Sequence, residues 1–280
     1  MFIYGSIINF ATKQKHNNMK HLIIGGVAGG ATAAARLRRV AEHDEIILIE
    51  KGEYISYANC GLPYHIGGTI ADREKLFVQT PESFGKRFNI DVRVKTEALS
   101  INPTNNTVVL KSPDGKIYNE TYDKLLLSPG AEPFKPKLPG IDTDGIFTLR
   151  NVSDTDSIKS YLKNNDVKRA VVVGAGFIGL EMAENLHDAG VQVAIVEMAD
   201  QVMTPIDYSM ASIVHQHLQQ KSVALYLKTS VAEFTPRDNG IEVKFSSGEL
   251  LNTDMVILSI GVRPLTKLAV DADLRGKGRY

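Results

Sequence analysis

A single cysteine, Cys60, stands in the 280 residues of this chain. One thiol excludes an internal disulfide framework and fits a reducing, cytoplasmic compartment. Surplus charge is missing as well: 32 basic residues balance 32 acidic ones. Nucleic-acid binders carry a basic surplus, so no polyanionic partner is expected. No apolar run reaches the roughly 20 residues needed to cross a bilayer, so no membrane partner is expected either. The beginning of the chain lacks the order of a secretory leader. Phe2–Ala11 is apolar, but Lys13 and Lys15 follow that stretch rather than precede it, and no small-residue cleavage site appears. Residues 1–18 read as an N-terminal extension ahead of Met19. What is present is ordinary for a globular chain: 43% apolar and 23% charged residues, enough for one large or two average domains.

The chain repeats one grammar. Lys20–Gly25 is a short apolar run ending in glycines, Ala28–Val40 has the Ala, Leu and Arg content of a helix, and Glu45–Glu50 is a second apolar run. Together they predict a βαβ unit. The pattern returns as strand Arg169–Gly174, helix Phe177–Ala189 and strand Gln192–Glu197. Between the two copies, Asp91–Lys95, Thr107–Lys111 and Lys116–Tyr118 alternate like strands, with turn signals at Asn105-Asn106 and Pro113-Asp114-Gly115. That predicts an antiparallel meander. Lys124–Leu127 is a strand running into Ser128-Pro129-Gly130, and the proline-rich stretch Glu132–Gly140 reads as a crossover. A second meander is predicted from Ala224–Lys228 and Ile241–Phe245, closed by a strand over Asp254–Ile260. The expected class is α/β, with two Rossmann-like dinucleotide-binding domains.

The second copy carries Gly174-Ala175-Gly176-Phe177-Ile178-Gly179, a complete G-x-G-x-x-G between strand and helix. The first glycine permits a tight turn, the second lets a pyrophosphate approach the backbone, and the third lets helix and strand pack closely. Free N–H groups at the helix start then face the anion. Glu197 ends the next strand, where a carboxylate can bind a ribose diol. The first copy reads Gly25-Gly26-Val27-Ala28-Gly29-Gly30, with Glu50 at the corresponding strand end. Val27 occupies the middle glycine position, which weakens that motif taken alone.

Cys60 follows the Glu50 strand in Ser56-Tyr57-Ala58-Asn59-Cys60-Gly61-Leu62-Pro63-Tyr64. Most lone cysteines are small buried hydrophobes. This one sits in a polar segment, punctuated by Gly and Pro, that can open a helix, where a thiolate is favoured. Arg36 and Arg39 share one helix face and can hold phosphates, or can be solvated charge near a helix C-terminus. His215 and His217 are two apart on a predicted helix and make a poor metal pair; no metal site is expected. Asp154 and Asp156 read as turn and cap residues ahead of a helix at Ser157.

On I-I-G-G-V-A-G-G-A, S-Y-A-N-C-G-L-P-Y, Y-D-K-L-L-L-S-P-G-A-E-P, the second glycine triplet and I-L-S-I-G-V-R-P, the chain resembles the pyridine nucleotide–disulfide oxidoreductases. The likeness is to their single-cysteine, coenzyme A-disulfide-reducing branch, and it runs from Met19 to about Val270. Valine inside the first glycine motif is usual in that family. The resemblance implies FAD on the first unit, at Gly25–Gly30, Glu50, Lys51 and Ser128-Pro129-Gly130. It implies NADH or NADPH on the second, at Gly174–Gly179, Glu197 and Gly261. Electrons then pass from NAD(P)H through the flavin to a disulfide at Cys60. Coenzyme A disulfide, or a related persulfide or polysulfide, is the implied substrate, touching Thr32, Arg36, Arg39, Ser56 and Asn59.

The implied domains are residues 19–135 for the first part of the FAD domain, 136–150 for a crossover, and 151–265 for the NAD(P) domain. Residues 266–280 would begin a return to the first. The family completes its flavin site with a Gly-Asp pair after the nicotinamide domain and adds a dimerisation domain. No Gly-Asp pair follows Gly261, so an incomplete first domain is expected, with the family's homodimer in question for this chain. Two other functions stay open: an NADH oxidase or peroxidase cycling Cys60 through a sulfenic acid, or an inactive nucleotide-binding chain.

Overall fold

The structure is a computed structural model and describes residues 18–274. The first unit opens with β1 (Lys20–Ile24), α1 (Gly29–Val40) and β2 (Glu45–Ile49). A short 3-10 turn at Asn59–Gly61 leads into α2 (Leu62–Ile66). Then come α3 (Pro81–Phe88), β3 (Asp91–Arg93), β4 (Glu97–Asn102), β5 (Thr107–Lys111), β6 (Ile117–Thr121) and β7 (Lys124–Leu127). The parallel sheet has the order β3-β2-β1-β7, and β4-β5-β6 form a separate antiparallel sheet. Both faces of the parallel sheet are covered, which is why its strands read as unbroken apolar runs rather than alternating ones. Leu22, Ile24, Ile47 and Ile49 pack on Ile101, Val108 and Leu110 of the antiparallel layer. Their neighbours Ile23, Ile46 and Leu48 pack on Ala31, Ala34 and Phe84 of the helices. Three layers result.

The chain crosses over through β8 (Ala131–Pro133) and β9 (Ile146–Phe147). The second unit follows with α4 (Val152–Asn164), β10 (Arg169–Val173), α5 (Phe177–Asp188), β11 (Gln192–Val196), α6 (Tyr208–Gln220) and β12 (Ala224–Tyr226). It closes with β13 (Val231–Arg237), β14 (Gly240–Phe245), β15 (Leu250–Thr253), β16 (Met255–Leu258), β17 (Val262–Pro264) and α7 (Lys267–Asp271). Its parallel sheet runs β12-β11-β10-β16-β9 and its antiparallel layer β13-β14-β15. The predicted α/β class with two Rossmann-type sheets is what the structure has.

Several local readings need correction. Asp91–Arg93 is no meander strand: it pairs parallel with β2, Ile47 opposite Asp91. The reason is α3, a crossover helix that returns the chain in the same direction. The first antiparallel strand is β4 instead. Ala224–Tyr226 is likewise parallel, carried beside β11 by α6. The crossover contains pairing that its prolines hid: β8 lies antiparallel to β17, and β9 adds a parallel edge beside β16. Finally, α4 starts at Val152, capped by Asn151, so Asp154 and Asp156 lie within the helix and not ahead of it. Asp154 still serves the cap, completing a capping box with Asn151. The residues read as an N-terminal extension fall, except Asn18, outside the described ones, as do 275–280 of the expected return.

Candidate active site

Each unit builds a turn from its first strand to its first helix. Gly25 and Gly174 share a φ of +101°, a region that side chains disfavour, and their N–H groups donate to Ile49 O and Val196 O at 2.8 Å each. A Cβ on Gly25 would stand 1.9 Å from Ser128 O, and one on Gly174 would stand 2.5 Å from Ser259 O. The last glycine of each turn lies against the first: a Cβ on Gly30 would meet Gly25 O at 1.7 Å, and one on Gly179 would meet Gly174 O at 2.0 Å. Gly176 differs, with nothing within 4 Å of its missing side chain. Glycine is thus required by packing at the ends of the second turn and leaves open space at its centre, ahead of the free N–H groups of α5. The residues fit a dinucleotide pyrophosphate there.

Two carboxylates are held in matching ways. Glu50 accepts Gly26 N–H at 2.8 Å and Gly52 N–H at 2.7 Å. Glu197 accepts Ala175 N–H and Ala199 N–H, both at 2.8 Å. Each carboxylate is pinned beside its glycine turn and keeps lone pairs for further donors. Gly130 and Gly261 follow β7 and β16 at corresponding places, with φ of +75° and +111°. Ser259, which the sequence reading passed over, donates its hydroxyl to Val173 O at 3.1 Å and Gly174 O at 3.0 Å. The signal was available: Ser128 holds the same place in the first unit, and the side chain of Ser128 lies over Gly29.

The cysteine segment is tied to the first turn. Ser56, at a φ of +46°, donates its N–H to Gly26 O at 3.0 Å, and Ile55 lies under Gly26. Asn59 and Cys60 follow in the 3-10 turn, both exposed. Tyr57 is half-buried nearby; burial first, then the Glu50 carboxylate, push its phenol up to about 12. Arg150 reaches Pro129 O at 3.4 Å, placing a cation beside the Ser128–Gly130 turn. Sequence reading missed it because it precedes α4 in what looked like a linker.

Thr32, Arg36 and Arg39 are exposed on α1. Among the described residues the Arg36 and Arg39 side chains have no hydrogen-bond or ion-pair partner, and neither is bonded to Ser56 or Asn59. Arg38 between them is committed to structure, donating to the carbonyls of Phe88, Asn89 and the turn after α1. Lys51 turns away from the glycine turn and pairs with Glu97 at 2.8 Å. His215 accepts Val202 N–H at 3.1 Å, a structural bond within its own unit. Among the described residues no group of three metal-binding side chains occurs, and no helix is long and apolar enough to cross a membrane.

The family pattern for pyridine nucleotide-disulphide oxidoreductases matches residues 19–279. This chain belongs to that family. FAD is characteristic of the pyridine nucleotide-disulphide oxidoreductases. An NADH oxidase of Methanocaldococcus jannaschii is 37% identical over 255 residues, and a coenzyme A disulfide reductase of Staphylococcus aureus 36% over 257. Each match covers 91% of this chain and 57% of the relative. Among solved structures, reduced CoADR-RHD of Bacillus anthracis superposes with a TM-score of 0.89 at 51% identity, covering 91% of this chain and 46% of that one. An NAD-dependent persulfide reductase from A. fulgidus gives 0.88 at 34% identity, covering 92% and 48%. The chain therefore spans about half the length of the relatives it matches.

Proposed function

We propose that the chain is the cofactor-binding part of a disulfide reductase, with FAD on residues 19–135 and NAD(P)H on residues 151–265. The observation that carries this reading is the placement of Cys60. The one thiol of the chain is exposed, in a segment whose backbone is bonded to the first glycine turn through Ser56 and Gly26. That anchoring supports a thiol carried beside the flavin bound at the turn.

Bound FAD would take two electrons from the nicotinamide and hand them to a disulfide. The residues do the rest. The starts of α1 and α5 offer N–H groups to the two pyrophosphates. Glu50 and Glu197, already oriented by two backbone donors each, accept from the ribose hydroxyls. The Cys60 thiolate attacks one sulfur of a substrate disulfide, forming a mixed disulfide and releasing the other half as a thiolate. Two electrons and a proton then free the second thiol and restore Cys60. Coenzyme A disulfide, or a related persulfide or polysulfide, is the substrate we favour. Unpartnered Arg36 and Arg39 offer phosphate contacts, with Thr32, Ser56 and Asn59 as the neutral ones. The reductase and persulfide reductase among the relatives support this choice.

The test is Cys60→Ser in flavin-loaded protein. Disulfide turnover should vanish while nicotinamide-to-flavin transfer, followed by bleaching of the flavin bands, continues. Undiminished disulfide turnover would remove Cys60 from the mechanism. The M. jannaschii NADH oxidase favours a second reading, in which Cys60 cycles through a sulfenic acid. NADH consumption that requires oxygen or peroxide, and ignores added disulfide, would select it.

A further inference from the structure

We propose that Asp156 and Lys159, on α4 of the second unit, are positioning residues for Cys60. They hold the two flanks of the thiol segment, so the second unit decides where the sulfur of the first unit sits. The proposal rests on Cys60 being the redox thiol, as argued above.

The thiol segment belongs to the first unit in sequence but packs in the core of the second. Leu62, Ile66 and Leu76 are buried in one cluster with Val152 and Ile158 of α4 and Met182 and Leu186 of α5. At Gly67, just after α2, a Cβ would fall 2.6 Å from Asn185 Oδ1 and 2.8 Å from Asn185 O on α5. Apolar contact of this kind sets where α2 lies but is not itself directional. A helix of five residues has little stability of its own, so its orientation must come from outside.

Two directional contacts supply that orientation, and both come from α4. Lys159 Nζ donates to His65 O at 2.8 Å, a cation on a carbonyl at the C-terminal end of α2. The His65 ring is buried and fixed by its own bond, Nδ1–H to Ile70 O at 2.6 Å. One helical turn earlier, Asp156 accepts a fork from Arg73: Nε at 2.8 Å and Nη2 at 2.7 Å. The guanidinium of Arg73 lies over the rings of Tyr54 and Phe77, at 5.1 and 5.3 Å. The residues just after Arg73 clasp those just before Cys60. Ala58 N–H donates to Leu76 O at 2.8 Å, Val78 N–H donates to Ser56 O at 2.9 Å, and Tyr57 bridges Phe77. Lys159 thus holds the chain after Cys60, and Asp156, through Arg73, holds the chain before it. Cys60 stands exposed between the two.

The chain has one cysteine, so a nitroxide disulfide label reports on Cys60 alone. Spectra of the labelled full chain read segment motion without any need for activity. In the double variant Asp156→Asn, Lys159→Met the mobile component should at least double, with far-UV circular dichroism unchanged. Lys159→Arg should keep the native line shape, because a guanidinium still reaches the carbonyl. On unlabelled flavin-loaded protein, the double variant should lose roughly tenfold or more in disulfide kcat, with KM for NADH unchanged. An unchanged line shape in a folded double variant would overturn the proposal. Should the double variant not fold, Asp156→Asn alone, which keeps side-chain shape, carries the same reading: raised mobility supports the proposal and native mobility overturns it. Failure of the redox reading would show separately, as turnover surviving in Cys60→Ser whatever the label reports.

Discussion

At the centre of the first glycine turn stands Val27, half-buried; at the same place in the second turn Gly176 has open space around it. The first glycines of the two turns nevertheless have the same φ, the same bond to the second strand and the same clash with a serine carbonyl, and the last glycine of each lies against the first. The backbone of the turn is therefore set by its ends, and the middle residue tunes only how closely a ligand approaches. A second difference lies at the edge of the sheets. Beside β16, the second unit has β9, with α4 packed nearby. Beside β7, the described residues place no strand. A groove of about 390 Å³ lies over β1 and β7 beside α1, lined by Ile23 of β1, by Ala33, Leu37 and Val40 of α1 and by Leu126 of β7. Among the described residues the edge of the same βαβ framework is paired in one copy and unpaired in the other.

The outer glycines offer the sharpest way to break the likeness. Gly25→Ala should cost the first unit its flavin, and Gly174→Ala should cost the second its nicotinamide nucleotide. Each variant carries backbone strain of about 1–3 kcal/mol, besides a clash with a carbonyl. Gly25→Ala should be the worse of the pair, because its Cβ falls closer to the backbone. Flavin content after gel filtration and nicotinamide titration would read the two effects. An equal loss of both ligands in either variant would mean that the turns are not independent.

The strand-end carboxylates come next. Glu197 is pinned beside its glycine turn, where we propose that it meets the ribose, and is followed by Met198-Ala199-Asp200-Gln201, which offers no phosphate clamp. NADH should therefore exceed NADPH in kcat/KM by roughly tenfold or more, since a carboxylate facing a 2′-phosphate is repulsive. Glu197→Gln should narrow that ratio and Glu50→Gln should leave it alone. Equal or better turnover with NADPH in the native protein would defeat the expectation.

A smaller effect should appear at the sheet edges. Backbone amides of β7 should exchange with deuterium faster than those of β16, because among the described residues β9 pairs with β16 and no strand pairs with the outer side of β7. Matching protection in the two strands would show that the edge is covered in solution. The least of the four concerns Tyr57. Its phenol is raised from 10.0 to about 12, so the folded state keeps a proton that the unfolded state releases. The stability this contributes is complete below pH 10 and is lost as pH rises towards 12. Absorbance at the tyrosinate band should show a late-titrating component, to which Tyr64, Tyr122 and Tyr161 also contribute, that falls by one group in Tyr57→Phe.

Much of this architecture could be read in order along the chain. The glycine spacing and the carboxylates at Glu50 and Glu197 are local features, and so is the polar setting of Cys60. The two βαβ units followed from them. Pairing direction was harder. Asp91–Arg93 and Ala224–Tyr226 carry the alternation of antiparallel strands yet run parallel, because α3 and α6 turn the chain before it re-enters the sheet. Asp156 read as a turn residue because nothing nearby in sequence marks its partner, Arg73.

What the sequence by itself determined is whatever a few consecutive residues can enforce: a turn that only glycine can make, a strand end carrying a carboxylate, one thiol in a segment kept polar. These depend on φ, side-chain size and charge over a single turn or strand. Only the tertiary structure decided that α2 would seat in the core of the second unit, that Lys159 and Asp156 would reach across to the flanks of Cys60, and that β9 would pair beside β16. Those outcomes depend on which surfaces meet. A burial pattern can demand a partner face, but it does not carry that partner's address.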